Sequence, residues 1–133
     1  MHVDDFRDLV AWQLSHELKC EVFAFTSTGA ASRDFRYRDD IRGSSASAPA
    51  NIAEGFGRFR PLEFARFLGI AKGSLQETRN HLIDGRDRGY LEDRLCSRLT
   101  NLSRAAERTT ANLLRAKLRQ AEDERRRGGG RTK

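Results

Sequence analysis

The chain has 133 residues, a length that fits one domain with a single hydrophobic core. Its 25 Lys and Arg residues outnumber 19 Asp and Glu residues, which gives a net charge of +6. No run approaches the roughly 18 apolar residues of a membrane span, and the acidic start of the chain has no apolar export signal. We therefore expect a cytoplasmic protein without a membrane segment.

The cysteines and histidines show no spacing typical of a metal site. Cys20 and Cys96 fall in separate helical patterns, and His2, His16 and His81 form no pair spaced for metal binding. We expect both cysteines to be small buried apolar groups, and we predict no metal and no other cofactor.

The first predicted helix runs from about Phe6 to Phe25. Its inward positions, at three- and four-residue steps, are Phe6, Leu9, Val10, Leu14, Leu18, Val22 and Phe25. Trp12 lies partly off this stripe, so it belongs either to an oligomer interface or to the edge of the bundle. Residues 27–31 are small or polar with one glycine, which predicts a loop.

The second predicted helix runs from about Phe35 to Glu54. Its inward positions are Phe35, Ile41, Ala48 and Ile52. Pro49 inside the helix costs about 3 kcal/mol and frees the carbonyl of Ser45. We expect a kink there, with serine hydroxyls or the Asn51 amide satisfying the freed backbone.

Glycine and proline mark the limits of the third predicted helix. Gly55 is placed just past the end of the second helix, where a left-handed conformation suits glycine. Pro61 fits the first position of the third helix, which continues to about Arg88 until Gly89 ends it.

The fourth predicted helix begins near Leu91 and follows a pattern close to a heptad. Its inward positions are Leu95, Leu99, Leu102, Ala106, Thr109 and Leu113. The apolar pattern stops at Arg119, so residues 119–133 are predicted to form a flexible basic tail. Short connections favour antiparallel neighbours, and residues 1–118 are therefore predicted to form an all-α, up-down-up-down four-helix bundle.

The C-terminal charge is the main nucleic-acid signal. Residues 115–133 hold eight basic and three acidic side chains, a net charge of +5, which leaves +1 for residues 1–114. Arginine binds phosphate through two parallel hydrogen bonds, so RNA or DNA is the expected partner. The predicted phosphate-binding residues here are Arg115, Lys117, Arg119, Arg125, Arg126, Arg127, Arg131 and Lys133. The alternative is a solvated tail that binds nothing specific.

The loop before Pro61 offers a second candidate. Arg58 and Arg60, flanked by Phe56 and Phe59, could present charge and stacking surface to nucleic acid. The alternative interpretation is structural. Glu54 lies near the negative end of its helix dipole and needs a cation, which Arg58 could supply.

The sequence does not favour catalysis. Ser74, His81 and Asp84 lie on one predicted helix, but no strained nucleophile turn accompanies them. The Gly55–Gly57 loop lacks the Lys-Ser/Thr ending of a nucleotide-binding P-loop. We predict a protein that is not an enzyme.

One stretch carries a family resemblance. It comprises Asn51, Ile52, Ala53, Glu54, Gly55, Gly57 and Arg58, followed by Glu63-Phe64, Phe67-Leu68, Ile70-Ala71 and Gly73-Ser74-Leu75. With Phe6-Arg7-Asp8-Leu9 and Trp12-Gln13, these residues resemble the bacterial four-helix-bundle family of 23S rRNA intervening-sequence proteins. That family is similar to the accessory variability proteins of diversity-generating retroelements. The chain departs from the family pattern at Asp40, where Gln is usual, and at Gly43, where a basic residue is lost.

The resemblance implies a fold, an assembly and a set of partners. Similar proteins form four-helix bundles that assemble into homopentamers, and the retroelement proteins partner a reverse transcriptase and its template RNA. We therefore expect a non-catalytic oligomeric adaptor that binds RNA or an RNA–protein complex. The alternatives are a protein–protein scaffold and a ribosome-associated protein encoded in a 23S rRNA intervening sequence, neither with direct nucleic-acid binding.

Overall fold

The computed structural model describes residues 3–131, with side chains through residue 128, and the regular elements in that range are all helical. A 3₁₀ turn at Phe6–Asp8 precedes α1 (Val10–Phe25), α2 (Gly29–Arg33), α3 (Phe35–Phe56), α4 (Pro61–Asp87) and α5 (Asp93–Arg131). The prediction of an all-α fold is confirmed.

The four long helices pack around a common core. Helix α1 contacts α3 and α5, and α4 contacts the same two helices. Tyr37 near the start of α3 bonds to His81 near the end of α4, and Gly55 near the end of α3 meets Phe64 near the start of α4. Helices α3 and α4 therefore run in opposite directions.

The core has two adjoining clusters. The larger one lies toward the end that holds the α4–α5 connection, and includes Leu18, Val22, Ile41, Leu75, Leu82 and Leu99. The smaller one lies beneath the α3–α4 loop, and includes Ala11, Ile52, Phe64, Leu68 and Ala71. Val10 and Phe35, which we predicted to face inward, are exposed instead.

Hydroxyl groups connect α3 to α4. The Tyr37 hydroxyl donates to the carbonyl of His81 at 2.7 Å, Thr78 donates to Ser44 at 2.8 Å, and Ser74 donates to Ser47 at 2.9 Å. We call these three bonds the hydroxyl seam. Small side chains on α3 bring the two helices close enough for the seam to form.

Helix α3 continues through Pro49 to Phe56. The Asn51 amide donates to the carbonyl of Ser47 at 2.8 Å and to its hydroxyl at 3.0 Å. We predicted that the Asn51 amide could satisfy the carbonyl of Ser45, which Pro49 leaves without its helical partner. That prediction is therefore wrong. Asn51 instead supports the serine that takes part in the seam.

The predicted loop at residues 27–31 is largely helical. Gly29 adopts a left-handed φ of +69°, and the chain then turns at once into α2, which includes Ala31. The prediction missed this short helix because Gly and Ser also favour turns. At the other helix ends, Pro61 begins α4 and Gly89 lies just beyond its end, both as predicted, and Gly89 has a left-handed φ of +81°.

Helix α5 continues past the predicted boundary at residue 118. Residues 119–131 are helical, so the predicted flexible tail is wrong for this segment, while Lys133 lies outside the described residues. The segment contains good helix formers and side-chain pairs one turn apart, such as Gln120 with Glu124 at 3.3 Å. These local pairs favour helix without any contact to a core.

The two cysteines differ in exposure. Cys96 is buried, as predicted, and its thiol lies 3.5 Å from the carbonyl of Leu82. Cys20 is exposed on α1, with its sulfur 3.6 Å from Nε2 of His16, so the prediction of burial is wrong there.

Candidate nucleic-acid interface

The α3–α4 loop is short and held by backbone hydrogen bonds. Gly57 donates to the carbonyls of Ala53 and Glu54, both at 3.2 Å, and the Arg58 amide donates to Gly55 at 3.0 Å. Pro61 then begins α4 with a φ suited to the first helical turn. The loop therefore presents its side chains from a fixed backbone.

Gly55 lies inside α3 rather than beyond its end. It has no left-handed φ, so our prediction for this residue was wrong. A Cβ at Gly55 would stand 2.8 Å from Cδ1 of Phe64 and 2.9 Å from Cβ of Phe67. The glycine is required because α4 crosses close to α3 at this point.

Arg58 is fixed by contacts within its own chain. Its guanidinium lies 3.2 Å from the Glu54 carboxylate and 4.9 Å from the centroid of the Phe67 ring. The observed geometry therefore agrees with the structural interpretation, in which Glu54 and Arg58 form an ion pair. Both side chains remain partly exposed, so Arg58 still adds positive charge to the loop surface.

The rest of the loop points to solvent. Phe59 has a relative exposure of 102%, whereas Phe56 packs against Phe64 with ring centroids 6.3 Å apart. Arg60 is exposed and has no ion pair among the described residues. Phe56 therefore packs against the smaller core cluster, whereas the side chain of Phe59 is fully exposed to solvent.

A lysine from α5 completes this end of the molecule. The Lys117 ammonium lies 5.3 Å from the centroid of the Phe64 ring and 3.2 Å from Oε1 of Gln120. Together with Phe59 and Arg60, these residues line a cavity of about 140 Å³, which we call the loop pocket. Two predicted candidates from distant parts of the sequence, Arg60 and Lys117, therefore meet at one site.

The outer face of α5 carries a row of arginines. Successive steps of four, seven, four and seven residues place them on one side of the helix. All five are exposed, and they form what we call the arginine stripe: Arg104, Arg108, Arg115, Arg119 and Arg126. At the usual rise of about 1.5 Å per residue, the stripe is about 33 Å long.

The stripe is not an ordinary solvated helix face. The one acidic residue between Arg94 and Ala121 is Glu107, which is buried and pairs with Arg79 at 3.0 Å. Like charges four residues apart destabilise a helix by a few tenths of a kcal/mol, and the stripe contains two such pairs. An anionic ligand along the stripe would relieve this repulsion.

Sequence reasoning missed Arg104 and Arg108 because it counted charge by segment. The residues before position 115 are nearly neutral in sum, but Glu107, the one acidic residue of α5 between Arg94 and Arg115, is buried and paired with Arg79, so the exposed face of this part of α5 is basic. The four- and seven-residue spacing was visible in the sequence and was the signal that could have found them.

The distal part of α5 is partly neutralised. Arg125 lies 2.8 Å from Glu122, and Arg126 lies 3.4 Å from the same carboxylate. The hydrogen bond from Arg125 lowers the pKa of Glu122, so this carboxylate stays charged near neutral pH. Arg119 and Arg127 are exposed without described partners, and the side chain of Arg131 lies outside the described residues, as does Lys133.

Trp12 lies at the edge of the smaller core cluster. Its ring stacks on His16 with centroids 4.5 Å apart and meets Phe6 edge-on at 5.3 Å. The side chain is half-buried by contacts within its own chain. Its role in an oligomer interface stays a prediction.

The residues first considered for catalysis serve other contacts. Ser74 belongs to the hydroxyl seam, the carbonyl of His81 accepts from Tyr37, and Asp84 pairs with Arg88 at 3.1 Å. His81 and Asp84 border a cleft of about 410 Å³ at the end opposite the loop pocket. Within the described residues, no cluster of His, Cys, Asp and Glu has the arrangement of a metal site.

The chain is thus a helical bundle with a basic face on α5 and a cationic pocket at the α3–α4 loop. Residues 7–112 match the model of the 23S rRNA-intervening sequence protein family, and the chain belongs to that family. A search of curated proteins found no significant match. None of the helices within residues 3–131 is both long enough and apolar enough to cross a membrane.

Proposed function

We propose that the protein is a non-catalytic adaptor that binds RNA, and that the arginine stripe contacts the phosphate backbone. The observation that carries this proposal is the exposed row from Arg104 to Arg119, which has no acidic residue on its face of α5, whereas Arg126 at the distal end lies 3.4 Å from Glu122. Guanidinium groups bind phosphates in two-pronged fashion, and each neutralised phosphate releases counterions.

The shape of α5 supports a backbone contact. The stripe begins beside α4 in the body of the molecule and continues into the part of α5 that extends beyond the start of α4 at Pro61. It therefore offers a straight basic surface of about 33 Å, which suits a run of phosphates better than a compact ligand.

The proposed assembly is a homo-oligomer, a pentamer by resemblance to the family, of up-down-up-down bundles. An apolar groove between α4 and α5, lined by Leu62, Ala65, Leu114 and Leu118, supports self-association. Leu62 and Leu118 are 62% and 44% exposed, which costs free energy unless a partner covers them. Sedimentation velocity of the purified chain tests this, and a monomer at all concentrations would contradict it.

The identity of the partner is proposed from the resemblance. A reverse transcriptase with its template RNA is one candidate, and a ribosomal particle in the cytoplasm is the other. Co-purification followed by RNA sequencing separates them, because the first predicts enrichment of a retroelement transcript and the second predicts ribosomal RNA.

Binding of a labelled stem-loop RNA, followed by fluorescence anisotropy over a range of salt concentrations, tests the proposal. The Arg104→Gln/Arg108→Gln variant should weaken binding and make the salt dependence shallower by about 0.7–0.9 per lost phosphate contact. The matched control is Arg33→Gln/Arg36→Gln, which removes the same charge from exposed positions outside the stripe.

Two outcomes would contradict this function. Equal losses in both double variants would mean that total charge, and not the stripe, determines binding. No binding by the unmodified protein even at low salt would favour the protein–protein scaffold, in which the basic residues serve solubility.

A further inference from the structure

The loop pocket combines an unsupported aromatic ring with two cations. Phe59 is fully exposed, and Arg60 and Lys117 reach the same cavity from the loop and from α5. No acidic side chain lines the pocket among the described residues, and Arg58, a third cation in its lining, is paired with Glu54. The pocket therefore offers a flat apolar surface beside uncompensated positive charge.

We propose that the loop pocket binds one unpaired nucleotide, with its base stacked on Phe59 and its phosphate held by Arg60 and Lys117. The inference rests on the proposed RNA-binding function and specifies what this end of the molecule recognises. A base within a duplex has both faces covered by its neighbours, so only an unpaired base can stack on the ring.

A nucleotide matches both parts of the pocket. Every base has a π face that stacks on an aromatic ring, and the attached phosphate supplies the counter-charge for Arg60 and Lys117. An apolar protein side chain would cover Phe59 but would leave the two cations without a partner in a drier environment, which is unfavourable.

Lys117 and the loop backbone are held in place before any ligand arrives, whereas the ring of Phe59 is fully exposed. Lys117 is held by Gln120 at 3.2 Å and by the ring of Phe64, and the loop backbone is fixed by the hydrogen bonds of Gly57 and Arg58. A fixed site loses less conformational entropy when it binds its ligand.

The pocket is distinct from the arginine stripe. Lys117 follows Arg108 by nine residues, and nine steps of about 100° place the two side chains on opposite faces of α5. The stripe would contact phosphates irrespective of sequence, whereas the pocket would require the presence of a base.

Two single-stranded probes of equal length and charge test the inference. One is an oligoadenylate of about eight nucleotides, and the other is an abasic oligomer with the same backbone. The unmodified protein should bind the oligoadenylate roughly 5- to 150-fold more tightly, the range expected for one stacked base. Phe59→Ala should abolish this preference and Phe59→Trp should retain it. Because Phe59 is fully exposed, both variants should keep the helical content measured by circular dichroism.

The controls separate this inference from the proposed function. Arg104→Gln/Arg108→Gln should weaken binding of both probes by the same factor and leave the preference unchanged. Equal binding of both probes by the unmodified protein would reject the base pocket while leaving RNA binding intact, and binding of neither would reject both. A preference that survives in Phe59→Ala, or a changed oligomer size in that variant without a changed preference, would assign Phe59 to another role.

Discussion

The hydroxyl group of Tyr37 lies where a side chain on Gly85 would have to stand. The phenol donates to the carbonyl of His81 at 2.7 Å, and a Cβ built on Gly85 would overlap the hydroxyl and lie 2.8 Å from Cζ of the ring. Burial raises the pKa of Tyr37, so the phenol remains a neutral donor well above physiological pH. Glycine at this position of α4 is therefore required by packing, since its φ is that of an ordinary helix.

We expect Gly85→Ala to lower the free energy of unfolding by about 1–3 kcal/mol. The added methyl must displace Tyr37 from its bond, and this overpacking outweighs the gain in helix propensity of up to about 1 kcal/mol. Urea unfolding measures the change. Gly73→Ala is the control in the same helix, because a Cβ there meets nothing within 4 Å, and it should stabilise by about 0.5–1 kcal/mol. Similar effects of the two variants would contradict the packing argument.

The buried carboxylate of Glu107 is expected to couple strongly to Arg79. It accepts from the guanidinium at 3.0 Å and from the Ser103 hydroxyl at 3.2 Å. Glu107→Ala should cost about 3 kcal/mol, because it leaves a partly buried positive charge without a partner. The double variant Arg79→Met/Glu107→Met should be more stable than Glu107→Ala, since no unpaired charge remains. Unfolding of Arg79→Met, Glu107→Met and the double variant gives the coupling free energy, and a value near zero would contradict the prediction.

Asp34 should give the protein an acid-sensitive contribution to stability. A hydrogen bond from the Tyr90 hydroxyl, then one from the Tyr37 amide, lowers the pKa of Asp34 below its usual 3.8. A carboxyl with a lowered folded pKa stabilises the fold above its unfolded pKa, and this contribution is lost as the pH falls through the folded value. The difference in urea midpoint between the unmodified protein and Asp34→Asn should therefore be constant from pH 7 to about 5 and shrink below pH 4. A difference that is independent of pH would show that the charge does not matter.

Glu122 should restrain the distal arginines of α5. Glu122→Gln removes the partner of Arg125 and Arg126, so RNA affinity should rise and its salt dependence should become steeper by up to about 0.7–0.9 for each new phosphate contact. Glu124→Gln is the matched control, because it removes the same charge from the same segment while its carboxylate bonds to Gln120 and not to arginine. Equal effects of the two variants would attribute the change to net charge alone.

Local sequence signals were sufficient where one residue dictates one conformation. Pro61 at the start of α4 and Gly89 beyond its end were predicted correctly, because a fixed φ and a left-handed φ leave few alternatives. The pairing of Glu54 with Arg58 was one of two interpretations drawn from the sequence, because a carboxylate near the negative end of a helix dipole needs a cation nearby.

The signals failed where tertiary contacts decide the outcome. A glycine such as Gly55 can end a helix or can let a neighbouring helix pack closely, and the sequence is the same in both cases. Only the position of Phe64 shows that close packing is the reason here. The proximity of Arg60 to Lys117 depends on how α5 packs beside α4, which no local pattern encodes. Apolar periodicity identifies which face of a helix is buried, but it does not identify which residues of the neighbouring helices contact that face.

The hydroxyl seam has a consequence for how the molecule can move. Sliding α3 past α4 by one turn, about 5.4 Å, would still bring a serine of α3 opposite a hydroxyl of α4, because the Ser44–Thr78 and Ser47–Ser74 bonds are about one turn apart. The buried Tyr37 hydroxyl, in contrast, would lose the carbonyl of His81, at a cost of about 1–3 kcal/mol, so Tyr37 favours the observed register. Helices α3 and α4 should therefore move as one rigid pair when the rest of the molecule rearranges.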